Sequence, residues 1–476
     1  MNSKKKKYIA LGLTLIIIIV FGLYFAFNKE DKVLEENDSS NYIIAAFIDG
    51  ESSTTFPTTK DYIADVTCKK GSAEVNIGAK IDWTGTKWKL SVDDASVSDV
   101  ACNIRFVTKP TWSSPGTGTL LAAIKRDNTV KSPSTTPGSA ISADTEALLA
   151  STEDDYGTSY YFRGAVENNY VEYANMCWRI VRVTGDDSIK LILYNYNGLT
   201  DSNNTPESVT PCSKTGDTYA FARYEGNTYN SKFNESSTDN AYVGFMYGTT
   251  GASSYAAAHA NTNASTILIN LNKWYTNVLS KQANFKDSQL ADTIWCNDKS
   301  VVTDTAFNPG NWTLGTNYGY AKNKNYYSAT KRLVQTSSWT AGGTRPSLIC
   351  PNDNNGGKLS KFTVNDTEYG NGALKNYAKI GLLTADEIAF AGGTYNTTNS
   401  TYYINGKTNS SYWRILSPIC FYGNSAYVWG VNHDGSLLDY GHVDDGGVRP
   451  SLSLVASTKI ISGSGTASNP YRIAMQ

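Results

Sequence analysis

Met176-Cys177-Trp178-Arg179-Ile180-Val181-Arg182-Val183 runs into Gly185-Asp186-Asp187 and out through Ile189-Lys190-Leu191-Ile192-Leu193-Tyr194. Two runs rich in β-branched and aromatic residues, joined by a Gly-Asp turn, predict a β-hairpin. Tyr160-Tyr161-Phe162-Arg163 upstream reads as another strand. The chain from 156 to 476 therefore opens on a sheet, and no later linker divides it, so it reads as one large domain.

Helices are few in this region. Ile267, Leu271, Trp274, Tyr275 and Val278 share one face of a 3.6-residue period. Thr384-Ala385-Asp386-Glu387 places Glu three residues after a Thr N-cap, a capping box, and Gly392-Gly393 closes that helix. Asp386 and Glu387 read as first-turn acids that favour the helix dipole. Long polar stretches rich in Gly, Asn and Tyr lie between, and loops on a β scaffold are where binding usually resides. Two segments echo each other: Gly342-Gly343-Thr344-Arg345-Pro346-Ser347-Leu348 with Gly446-Gly447-Val448-Arg449-Pro450-Ser451-Leu452, and Trp178-Arg179-Ile180 with Trp413-Arg414-Ile415. Arg345 and Arg449 read as structural arginines that donate to carbonyls or a carboxylate.

Upstream, 109–155 changes character. Pro110, Pro115, Gly116, Pro133, Pro137 and Gly138, among Ser and Thr, mark a linker, with a short helix at 120–124. Residues 42–108 read as a small β domain, sandwich-like, with strands at 42–49, 61–68, 73–92 and 102–107. Asp82-Trp83-Thr84-Gly85-Thr86-Lys87-Trp88 is its hairpin turn. Residues 28–41 are a charged stalk. At 1–27, Lys4 to Lys7 precede an apolar run over 8–27, which as a helix spans about 30 Å, the thickness of a hydrocarbon core. The lysines favour a cytoplasmic N-terminus. Tyr24-Phe25-Ala26-Phe27 offers no small-residue cleavage site, so the run reads as an uncleaved signal anchor at the plasma membrane, single-pass, with the bulk of the chain extracellular.

Composition narrows the function. The 476 residues carry 42 basic and 43 acidic side chains with no basic stripe, which argues against nucleic acid as a partner. Charged residues are only 18% and aromatics reach 12%, which argues against global disorder. Seven cysteines form no CxxC and no Cys/His metal cluster, so zinc is not the expected reading and disulfides are expected outside the cell. The candidate pairs are Cys68 with Cys102, Cys296 with Cys350 and Cys177 with Cys212, leaving Cys420 over. A Cys68–Cys102 bridge would stabilise the thin small domain by roughly 3 kcal/mol.

The order Gly381-Leu382-Leu383-Thr384-Ala385-Asp386-Glu387, Tyr412-Trp413-Arg414-Ile415-Leu416-Ser417-Pro418, Ala426-Tyr427-Val428-Trp429, His433-Asp434-Gly435 and Gly447-Val448-Arg449-Pro450-Ser451-Leu452 resembles bacterial, Firmicutes-type membrane-anchored surface proteins. Their C-terminal domain resembles the C-type-lectin-like fold of the sulfatase-modifying, formylglycine-generating group. The resemblance covers 380–455 and extends more weakly over 156–380. It implies a β-rich α+β fold, with a C-type-lectin-like domain of few helices and long loops. Enzymes of that group use two redox-active cysteines that bind copper; Cys420 has no second cysteine near it in sequence, so the oxidase chemistry does not carry over.

Ligand-binding candidates are Trp413, Arg414, Tyr427, Trp429, His433 and Asp434. Flat aromatic faces and planar donors suit sugar rings; the competing reading has Trp413 and Trp429 alternating into the core. Asp434, Asp439, Asp444 and Asp445 are oxygen ligands of the kind Ca²⁺ takes, though an Asp-Gly hairpin followed by a solvated acidic loop explains the same residues. No other cofactor is indicated. GxSxG, HExxH, Walker and GxGxxG motifs are missing from the sequence. The expectation is an anchored extracellular binding or adhesion protein that recognises a glycan or protein ligand without catalysis. The alternatives are an extracellular oxidase or hydrolase on the formylglycine-generating-like fold, and a structural protein that self-associates at the surface.

Overall fold

The computed structural model describes residues 42–48, 51–93, 96–108, 118–139, 146–195, 212, 220–223, 230–282, 284–310, 325–351, 360–364, 374, 376–405, 412–441 and 445–474. The apolar run at 8–27 and the stalk at 28–41 lie outside the described residues. Among the described residues, no helix is long and apolar enough to cross a membrane. The chain is β-rich with few helices, and it divides into two compact units, 1–111 and 112–476.

In the first unit, Tyr42–Ile48 lies parallel to Val100–Thr108, which pairs antiparallel with Tyr62–Lys70. Glu51–Ser53 and Ala73–Glu74 extend the two edges to five strands. The hairpin Lys80–Trp83 and Trp88–Ser91 forms where the paired tryptophans flank the turn, their rings 5.7 Å apart edge to face. Ile81, Trp88 and Leu90 pack on Ile104 and Phe106, covering one face of the sheet. Cys68 and Cys102 are directly opposite on neighbouring strands and are bridged.

In the second unit, Met176–Val183 and Ile189–Asn195 form the expected hairpin, turning at Asp187 with φ 67°. They are central in a nine-stranded sheet. Tyr170–Tyr173 and Gly157–Gly164 flank one side of the hairpin, and Ser451–Leu454 and Ile380–Gly381 the other. The late strand Tyr471–Ile473 returns to pair in parallel with Tyr170–Tyr173. Every residue of Met176–Val183 is buried, as befits a central strand covered on both faces. A second, six-stranded sheet is built around Trp413–Tyr422, Ser425–Val431 and Leu437–Gly441. Thr266–Asn277 is the long helix expected there, and it buries Ile267, Leu268, Leu271 and Trp274.

The linker boundaries require correction. The helix Leu120–Asp127 and the strand Ala147–Asp154 are packed parts of the large unit, the strand pairing with Gly157–Gly164 along its whole length. The Pro- and Ser-rich loop between them is tied down by buried Glu146, which accepts from Ser134 N at 2.8 Å and Thr135 Oγ1 at 2.6 Å. Turn-forming residues mark a loop over a sheet as readily as a tether.

Candidate functional site

The capping box at Thr384 forms as the sequence requires. Thr384 Oγ1 accepts from Glu387 N at 3.1 Å, and Glu387 Oε2 accepts from Thr384 N at 3.0 Å. The short helix Ala385–Ala391 is buried on all sides, so its first-turn acids do more than complement a dipole. Glu387 Oε1 accepts from Lys190 Nζ at 2.6 Å and Arg182 Nε at 3.0 Å. Arg182 also donates to Asp154 Oδ2 at 2.5 Å, and Asp154 in turn accepts from Tyr156 N and Gly185 N. On the other side, Asp386 takes Arg332 in a bidentate pair, 2.7 Å for each contact, and Arg332 also donates to Asp298 at 2.8 Å.

A space of about 20 Å³ lies among these charges, lined by Arg182, Lys190, Arg332, Thr384, Ser417 and the Cys296–Cys350 disulfide, with others. That volume holds about one water molecule. Asp155 joins the network at the rim, accepting from Lys361 Nζ at 2.7 Å and from Cys350 N at 3.0 Å. Burial alone would raise the Glu387 carboxyl, but Lys190 and Arg182 outweigh it and bring it down to about 2. Burial pushes Asp154 and Asp298 upward despite their arginine partners, and it pulls the Lys190 ammonium down despite Glu387. The arrangement is a mutually compensated set of ions around a polar, water-sized space. It clamps helix, hairpin and disulfide loop together.

Sequence reasoning did not assemble this cluster. Its clearest signal was Arg182 and Lys190 within otherwise apolar strands, because buried Arg and Lys are nearly always paired. Their partners lie 205 and 197 residues away at Glu387, so only the topology joins them.

The residues singled out in the sequence lie elsewhere. Trp413 and Trp429 are fully buried. Trp413 carries the Arg449 guanidinium 4.6 Å from its ring centre, and Trp429 meets Tyr395 edge to face at 5.5 Å. Neither offers a face to solvent, so alternation into the core accounts for both. Arg414 is likewise buried, with its guanidinium 5.3 Å from the centre of the Tyr412 ring. Arg449 donates to the carbonyls of Ile404 and Leu193, as a structural arginine does, whereas Arg345 in the echoing segment is exposed. Tyr427 is half-buried and His433 is exposed.

Asp434 holds a turn. Its Oδ1 accepts from the backbone and hydroxyl of Ser436, and its Oδ2 from Thr398 Oγ1 at 3.0 Å. Asp439 stands opposite Trp429 in the ladder, and the carbonyl of exposed Asp445 accepts from Tyr412 at 2.6 Å. Asp444 lies outside the described residues. Among the described residues, no group of three or more His, Cys, Asp or Glu side chains is placed to hold a metal ion. The disulfides join Cys68 to Cys102, Cys177 to Cys212 and Cys296 to Cys350, and Cys420 is buried outside these three bridges.

No family model matches the chain, and no curated protein or solved structure matches it.

Proposed function

We propose that the chain is an anchored extracellular binding protein. In this reading the run at 8–27 holds it in the plasma membrane, and the large C-type-lectin-like unit presents loops to a glycan or protein ligand, without turnover. The observation that carries the reading is the set of three disulfides, which persist in an oxidising, extracytoplasmic setting. Two features agree with it. Thr119 bridges Lys459, bringing the two ends of the large unit together, and strand Tyr471–Ile473 lies beside Tyr170–Tyr173, as a lectin-like fold would place them. The buried charges around Glu387 compensate one another, which suits a rigid platform for loops more than an acid–base pair open to a substrate.

The test is binding of the 42–476 chain to arrays of glycans and of surface proteins, with calcium and then with EDTA. Selective, saturable binding supports the reading, and loss of that binding in EDTA assigns calcium a part in it. Absence of binding to either array, together with concentration-dependent oligomers, would replace it with self-association.

A further inference from the structure

Lys299 is fully buried, and its Nζ donates to Met246 O at 3.0 Å, His259 O at 2.9 Å and Asn261 Oδ1 at 2.8 Å. None of the three is a carboxylate. Lys190 and Lys361, by contrast, sit against Glu387 and Asp155. Burial pulls the Lys299 ammonium down to about 7, toward the form in which the nitrogen can act as a nucleophile.

The amide that faces this amine is unusual in its own right. Asn261 presents its oxygen to Lys299, while its Nδ2 is buried without a hydrogen-bond partner. A buried donor left unmet is unfavourable. Around the pair, Tyr255 Oη donates to Lys299 O at 2.8 Å, and the His259 ring stands 3.2 Å from Tyr327 Oη. An amine nucleophile, a carbonyl carbon one bond beyond its hydrogen-bond acceptor, and a nitrogen with nothing to hold it are thus fixed together, the amine and the amide nitrogen away from solvent. That is proximity of the kind that makes an intramolecular reaction efficient.

We propose that Lys299 and Asn261 join in a side-chain isopeptide bond. Lys299 Nζ, as the amine, attacks Asn261 Cγ; the Nζ–Cγ bond forms, the Cγ–Nδ2 bond breaks, and Nδ2 leaves as ammonia with the proton that Nζ gives up. No oxidant or cofactor is needed. His259 and Tyr327, in the same buried cluster, are groups able to relay that proton. The product disposes of the unmet Nδ2, and its single N–H retains Met246 O or His259 O as an acceptor. The bond would join two positions 38 residues apart, across a segment that the core packing of Ile267, Leu271 and Trp274 and the Cys296–Cys350 disulfide already hold in place.

Mass spectrometry of the full-length chain, reduced and denatured, tests this. The expected mass is below the sequence mass by one ammonia, and trypsin should leave residues 233–273 joined to 287–322, uncut after Lys299. Asn261→Ala and Lys299→Arg chains should each show their own sequence mass. The wild-type measurement stands even if either variant misfolds. A wild-type chain at its sequence mass and cleaved after Lys299 would overturn the proposal, as would a mass deficit that maps to any other pair.

Discussion

Lys190 Nζ and Glu387 Oε1 lie 2.6 Å apart, although 197 residues separate them and both side chains are almost wholly enclosed. This contact, with Arg182 on the same oxygen, fastens the capped helix to the hairpin on which the large sheet is built. Removing one partner leaves an uncompensated buried charge. Glu387→Ala should therefore destabilise the large unit by about 3–5 kcal/mol, read from urea unfolding. A change within experimental error would mean that the network does not hold the fold.

The same pair sets an acid response. The folded Glu387 carboxyl sits at about 2 against an ordinary value of 4.5, because Lys190 and Arg182 outweigh the burial that would raise it. Its folded value is depressed, so its contribution is complete above 4.5 and is lost as pH falls toward 2. Stability of the wild-type chain should fall across that window, and a Glu387→Gln chain should fall less steeply there. Parallel pH profiles for the two chains would exclude Glu387 as a source of the acid sensitivity.

Trp413 and Trp429 are core residues, and their removal should act on stability. Trp413→Ala and Trp429→Ala should each cost about 3–5 kcal/mol. Normal unfolding midpoints combined with lost ligand binding would restore the stacking-platform role.

The Cys296–Cys350 disulfide spans 54 residues and borders the charged space. A Cys296→Ser, Cys350→Ser chain should lose about 4 kcal/mol by the loop-entropy estimate. In the native wild-type chain Cys420 is buried at 1% exposure, so alkylation should reach a single thiol, and only after unfolding. Rapid labelling of the native chain, or recovery of Cys420 in a disulfide-linked peptide, would contradict this pairing.

Local patterns were legible where local physics decided the outcome. The hairpin at Gly185, the face of Thr266–Asn277, the capping box at Thr384 and the Trp83–Trp88 turn all depend on neighbours within a few residues. The charged cluster was not legible, because Asp154, Arg182 and Glu387, and Arg332 with Asp386, meet only through strand order and loop closure. The tie between Glu146 and the Ser134–Thr135 loop escaped for the same reason, and with it the true start of the large unit. Asp434 was legible as part of an Asp-Gly turn, but its bond to Thr398 joins a separate loop.

The most direct test incubates a panel of cell-surface glycans with the wild-type chain and with Glu387→Gln, then recovers each glycan for mass spectrometry. The account predicts that bound glycans return unchanged, and that a folded Glu387→Gln chain binds them as the wild type does. Steady conversion by the wild type, abolished in a Glu387→Gln chain that remains folded, would contradict it and make the charged space a catalytic site.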